Sequence, residues 1–237
     1  MSRLPELGAS PDDFVGGRPA SVAVAMVLRR AIMRGALPAG ERLRQDAVAT
    51  RFGVSQMVVR EAFTQLVNEG ILRAEPRRGV SVAALSIQEV EEMTQLRSLL
   101  EAKALVWAIP KMKESDLNAA ESILNQLDRA ESTDDIISLD ARFHETLYAP
   151  ARRERTLSII ATLRLNFERY FRFAWEGASH LAQAQREHRA ILKCCRNRTA
   201  EKACVLLKKH ILGTGTPLLQ RLKELEKAAA GSGALAR

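Results

Sequence analysis

The sequence predicts a mainly α-helical protein: an N-terminal winged helix-turn-helix of three helices and a two-stranded wing, followed by an all-α bundle. Three observations lead there. Hydrophobic residues reach 46% of the 237 positions while aromatics are only 5%, a balance suited to helices packed through Leu, Ile, Val and Ala rather than to a β-sandwich. Apolar residues recur at helical spacing from Ala20 almost to the end of the chain, broken by short Gly, Pro and Ser stretches. Strand-like sequence is confined to one place, residues 71–83, around a tight basic turn.

Taken in order, residues 1–18 are expected to form a flexible tail, since they carry Pro, Gly and Asp and no apolar signal-peptide core. Ala20–Arg34 is amphipathic, with Val24, Val27, Leu28 and Ile32 on one side, and Gly35 ends it before the turn Leu37-Pro38-Ala39-Gly40. A short helix over Asp46–Phe52 closes at Gly53. Ser55 caps a longer helix running to Glu69, with Gly70 as its stop. Ile71–Ala74 and Val80–Ala83 are expected strands. Ser86-Ile87-Gln88-Glu89 is a capping box that opens a helix to about Ile109. Further helices are expected at 115–130, 134–148, 153–176, 180–196, 199–212 and 217–230. The chain thus divides into the tail, a head at 19–85 and a helical domain at 86–230.

The formal net charge is +8, and it is unevenly placed. Residues 20–84 hold ten arginines and no lysine against five acidic residues, a net of +5 in about a quarter of the length. That suits a polyanionic partner. Cys194, Cys195 and Cys204 match neither a disulfide framework nor a CxxC metal pattern, and are expected to be buried small apolar residues in a reducing compartment. No stretch reaches the ~18 apolar residues of a membrane span. The expectation is a soluble cytoplasmic protein with no membrane partner.

In the head, Gly53 permits the sharp reversal between helices, and Ser55 caps the second one, whose exposed N–H groups favour phosphate. Gln56, Met57 and Arg60 fall in its first turn and a half. Gln can pair with adenine and Arg with guanine. Arg77 and Arg78 sit at the wing tip, and Arg42, Arg44 and Arg51 add positive charge.

In the helical domain, Asp140 and His144 are four apart and share one helix face beside Leu139, Phe143 and Leu147. His188 and His210 lie on two other helices, next to Ile191 and Leu192, and to Leu207 and Ile211. Three imidazoles and a carboxylate in one cavity would suit zinc, nickel, manganese or iron. Spacing alone leaves the alternative open, that each is a satisfied core residue. Arg97, four before Glu101, reads by spacing as a surface pair. Arg164, amid Leu163 and Phe167, is a second candidate cation.

The stretches AIMRGALPAGERL (31–43), FGVSQMVVREAFTQLVNEGIL (52–72) and PRRGVSV (76–82) resemble the GntR family of bacterial regulators. The resemblance implies DNA contacts at Arg60 and at the wing around Arg78 and Gly79. Gln56 stands where the family usually has Arg, Met57-Val58 where it has Thr-Pro, and Asp46 where relatives are often basic. Residues 86–215 resemble the FadR-like effector domain, FCD, through RSLLEAKA (97–104), DARFHETL (140–147), EHRAIL (187–192) and AEKACVLLKKHI (200–211). That likeness implies a divalent metal on Asp140, His144, His188 and His210, with Arg97 facing an acidic effector. His180 matches no ligand motif. The expected protein is a homodimeric, ligand-responsive repressor binding operator DNA, a metal and a small carboxylate. A metal-dependent enzyme acting on a small organic acid is the alternative, and a sequence-independent DNA binder is a third.

Overall fold

The computed structural model describes residues 19–75, 79–84, 86–174 and 178–233. The predicted tail at 1–18 and the wing-tip residues Arg77 and Arg78 lie outside them. The chain separates into two compact units, residues 1–85 and 86–237.

The first unit contains α1 (Ala20–Met33), β1 (Arg42–Leu43), α2 (Gln45–Phe52), α3 (Gln56–Asn68), β2 (Leu72–Glu75) and β3 (Gly79–Val82). Its core joins Val24, Val27, Leu28 and Ile32 of α1 to Val48 of α2 and to Val59, Ala62, Phe63 and Leu66 of α3. Gly53 follows α2 at φ +64° and bonds back to it, a backbone state that costs an L side chain ~1–2 kcal/mol. Ser55 then caps α3, its hydroxyl accepting the Val58 N–H at 3.4 Å. Across the unit, Arg29 grips Glu69 through two bonds of 2.9 and 2.6 Å, tying α1 to the end of α3.

The wing differs from the sequence expectation. It has three strands in the order β1-β3-β2, all antiparallel. β1 pairs Arg42 with Ser81 and Leu43 with Val80. Val82 N–H donates to Glu41 O at 2.8 Å and Gly40 N–H to Val82 O at 2.9 Å. Two residues carry no periodicity, so this strand exists only through the partner that pairs with it.

Among its described residues the second unit has only helices as regular elements: α4 (Ile87–Ala108), α5 (Glu114–Leu127), α6 (Thr133–Tyr148), α7 (Glu154–Ala174), α8 (Ala178–Arg196) and α9 (Ala200–Gly233), with single 3-10 turns at Ile109–Lys111 and Ala149–Ala151. The Ser86 capping box forms as expected: Ser86 Oγ accepts Glu89 N–H at 3.0 Å, and Glu89 accepts Ser86 N–H at 3.4 Å. The core gathers Leu105, Leu117, Leu124, Phe143, Tyr148, Ile191 and Leu207. Cys194 and Cys195 are buried in it and Cys204 partly so. Burial pushes the Cys195 thiol up to about 12, which leaves it unreactive.

α9 corrects a second expectation. The helices expected at 199–212 and 217–230 are one element, running through Gly213, Gly215 and Pro217. Packing decides this. A Cβ at Gly215 would stand 2.9 Å from Thr94 Cγ2 and Oγ1, so α9 lies tight on α4 here, and Leu218 beyond Pro217 is buried. Tertiary contact overrides the local break signals.

Candidate metal centre and nucleic-acid surface

The exposed N-terminal face of α3 carries Ser55, Gln56, Met57 and Arg60, all open to solvent. Met57 is 61% exposed, which leaves an apolar side chain on a face otherwise polar. The Gln45 amide donates to Gln56 O at 2.7 Å, fixing the start of α3 against α2. Gly79 opens β3 at φ +87°. Arg44 is not an isolated cation. Its guanidinium holds Asp46 through bonds of 3.2 and 2.7 Å, and this hydrogen bonding keeps the Asp46 carboxyl below its usual range.

In the second unit α6 supplies Asp140 and His144, α8 supplies His188, and α9 supplies His210. One donor atom from each lies within 4.8 Å of all the others. Asp140 Oδ1 is 3.4 Å from His188 Nε2 and 3.8 Å from His144 Nε2. His188 Nε2 and His210 Nε2 are 3.1 Å apart.

The surroundings of the three rings select their tautomers. His188 Nδ1 meets Gln185 Oε1 at 3.2 Å, and the amide nitrogen of Gln185 is spent on Leu124 O and Asp128. His210 Nδ1 meets the Glu187 carboxylate at 2.8 Å. His144 Nδ1 meets the Tyr148 hydroxyl at 3.0 Å, and that hydroxyl donates to Glu101 at 2.8 Å. Each Nδ1 therefore acts as a donor away from the site, and each Nε2 faces the common centre as the ring's available ligand atom. His144 Nε2 is buried without a partner. Burial, helped by the neighbouring Arg164 and His188, holds the His144 imidazole well below its ordinary range. Burial and His210 bring His188 down to about 3. The hydrogen bond to His210 brings Glu187 down to about 2. Three imidazole nitrogens and a carboxylate converging on one point are the donor set of a borderline divalent cation, and the residues fit that group.

A cavity of about 450 Å³ adjoins this centre, lined among others by Arg97, Asp140, His144, Arg164, Phe167 and His210. Arg97 is buried, donates from Nε to Glu101 Oε1 at 2.7 Å, and lies 4.6 Å over the Phe167 ring. The pair with Glu101 that the spacing suggested does form, but it is buried beside the cavity rather than on the surface. Arg164 bridges Glu101 Oε2 at 3.1 Å and Asp140 Oδ2 at 2.8 Å. Burial alone would raise the Glu101 carboxyl, but Arg97, Arg164 and Tyr148 outweigh it and hold it below the usual range. Asp140 behaves alike: Arg164 and His188 more than offset its burial.

Sequence reasoning did not single out Tyr148, Gln185 or Glu187. Two had a spacing signal, Tyr148 four after His144 and Gln185 three before His188. Glu187 had none, because its partner His210 is on another helix. The side chain of His180 lies outside what the structure describes.

Comparison with known proteins agrees with this architecture. Residues 20–82 match the family described as bacterial regulatory proteins, gntR family, and residues 92–213 match the FCD domain. The chain is 29% identical over 191 residues to the HTH-type transcriptional regulator YdhC of Bacillus subtilis, spanning 78% of this chain and 83% of that one. It is 26% identical over 197 residues to the HTH-type transcriptional repressor RspR of Escherichia coli, spanning 82% and 86%. A crystal structure of a GntR family regulator from Pseudomonas syringae pv. tomato superposes with a TM-score of 0.55 at 32% identity, over 89% of each chain. The E. coli McbR/YncC structure superposes with a TM-score of 0.73 at 21% identity, over 85% and 98%, a likeness of fold. No helix among the described residues is long and apolar enough to cross a membrane.

Proposed function

Because the chain belongs to the GntR family of transcription regulators and carries an FCD domain, and is therefore a regulator rather than an enzyme, we propose that it is a homodimeric repressor of operator DNA whose helical domain binds a divalent metal and a small carboxylate effector. GntR regulators bind operator DNA, and a repressor stands among this chain's relatives. Some FCD domains are of the metal-binding type. The division into tail (1–18), head (19–85) and effector domain (86–230) belongs to the same reading.

The observation that carries the proposal is the convergence of three Nε2 atoms and the Asp140 carboxylate beside a cavity lined by the buried Arg97 and the largely buried Arg164. Asp140, His144, His188 and His210 are the proposed ligands. Zinc suits an N/O site of this kind first, with nickel, manganese and iron next. The metal supplies a cation toward which an acid can turn its carboxylate. Arg97, and Arg164 beside it, orient that anion through planar donors. In the head, Arg44, Ser55, Gln56, Met57, Arg60, Arg77, Arg78 and Gly79 are the proposed DNA contacts.

The effector changes DNA affinity by its differential affinity for the two states of the dimer. A thermal-shift screen of sugar acids, hydroxy acids, dicarboxylates and fatty acyl compounds, with and without chelator, tests this. An acid that raises the melting temperature only in metal-loaded protein supports the reading. Acids that act equally after metal removal refute the metal's part. Binding to operator and to random DNA at one salt concentration tests sequence specificity, and equal affinities would leave a non-specific DNA binder.

A further inference from the structure

One carboxylate outside the ligand set touches both sides of the metal centre. Glu101 lies on α4, a helix that supplies none of the four proposed ligands, and is 0% exposed. Its Oε1 accepts Arg97 Nε at 2.7 Å. Its Oε2 accepts two donors, the Tyr148 hydroxyl at 2.8 Å and Arg164 Nη1 at 3.1 Å.

Each Oε2 partner reaches a different ligand. Tyr148 stands 3.0 Å from His144 Nδ1. Arg164 Nη2 stands 2.8 Å from Asp140 Oδ2, which leaves Asp140 Oδ1 on the side of His188 and His144. We infer that Glu101 is the positioning residue of the metal centre, acting through Tyr148 on His144 and through Arg164 on Asp140. The inference rests on the metal reading above.

The chemistry of the first arm is directional. A phenol hydroxyl has one proton and can donate it to only one neighbour. With Glu101 accepting, the Tyr148 oxygen is left to accept from His144 Nδ1–H, and His144 Nε2 stays bare. Without that acceptor the hydroxyl is free to donate to His144 Nδ1. The ring proton then moves to Nε2, and the ligand atom is lost. The second arm is orientational: Arg164 takes one oxygen of Asp140 and turns the other to the centre. A carboxylate behind a histidine ligand is a known means of fixing its tautomer. Here a tyrosine is interposed, and the same carboxylate also sets the acidic ligand and holds Arg97.

The test is Co2+ binding to the full-length protein, measured by competition with a chromophoric chelator and by the visible ligand-field spectrum. Tyr148→Phe removes one oxygen, and Glu101→Gln removes one charge. Both are expected to weaken Co2+ by about 10–100-fold and to shift the spectrum, while metal-free melting temperatures show whether each variant folds. Should Glu101→Gln fail to fold, Tyr148→Phe carries the test. Stoichiometric Co2+ held with the same affinity and spectrum by wild type and variants overturns this inference alone. No stoichiometric Co2+ in the wild type overturns it together with the metal reading.

Discussion

His188 Nε2 and His210 Nε2 face each other at 3.1 Å, although Gln185 and Glu187 hold the ring protons on the far side of both imidazoles. With both rings neutral, two lone pairs at that distance would repel, which calls for a proton or a metal cation between them, and the Asp140 carboxylate on the same centre adds to that demand. Removing two of the rings removes the demand. His144→Ala combined with His210→Ala is expected to abolish bound metal while the chain stays folded, since Phe143, Leu147, Leu207 and Ile211 still pack beside the altered positions. Elemental analysis with far-ultraviolet circular dichroism decides it. Stoichiometric metal in the folded double variant would show the ligand assignment to be wrong.

Metal-free protein is expected to lose stability as pH falls from 7 toward 5. His188 is held down to about 3 and His144 well below its ordinary range, chiefly by burial. In the unfolded chain both titrate near about 6.5. Below that pH the unfolded state binds more protons than the folded one, so the free energy of unfolding decreases. Glu101 and Asp140, held low in the fold, add their own loss only below about pH 4. Melting temperatures across this range test the sign, and a flat profile from pH 7 to 5 would contradict neutral burial.

Arg60 sits exposed on the first turns of α3. Arg60→Ala is expected to cost ~1–3 kcal/mol on operator DNA and little on random DNA, the signature of a base contact. Titrations of both DNAs at one salt concentration measure it. An equal loss on the two would make Arg60 a phosphate contact.

Arg44 is held by Asp46 at 2.7 Å in full solvent. Asp46→Asn releases that guanidinium toward the phosphates. It is expected to tighten binding to random DNA and to steepen the salt dependence by about one unit of log–log slope. An unchanged slope would mean that Arg44 does not reach the backbone.

The parts of this fold that local chemistry specifies were legible in the sequence. The Ser86 capping box, the Ser55 cap, the Gly53 reversal and the apolar face of α1 are statements about residues a few positions apart. What escaped depended on partners far along the chain. Arg42 and Leu43 become a strand only because β3 pairs with them. Gly213 to Pro217 read as a break, and α9 continues through it because Thr94 and the α4 surface hold it. The centre divides in the same way. The i, i+4 spacings of Asp140 with His144 and of Arg97 with Glu101 were visible. That Glu101 is fully buried, and answers to a tyrosine and an arginine from other helices, was not.

The pairing of Arg97 and Arg164 with Glu101 and Asp140 bears on what the cavity can sense. Two guanidiniums and two carboxylates cancel, and Glu145, Glu168 and Glu187 on the cavity wall add further negative charge. An acid approaching the metal-free pocket meets no surplus of positive charge, only cations already engaged. Bound metal tips that balance. Under the proposed function the protein is then a coincidence detector: neither a plentiful acid nor a plentiful metal is enough alone, and the signal that leaves the domain reports the two together.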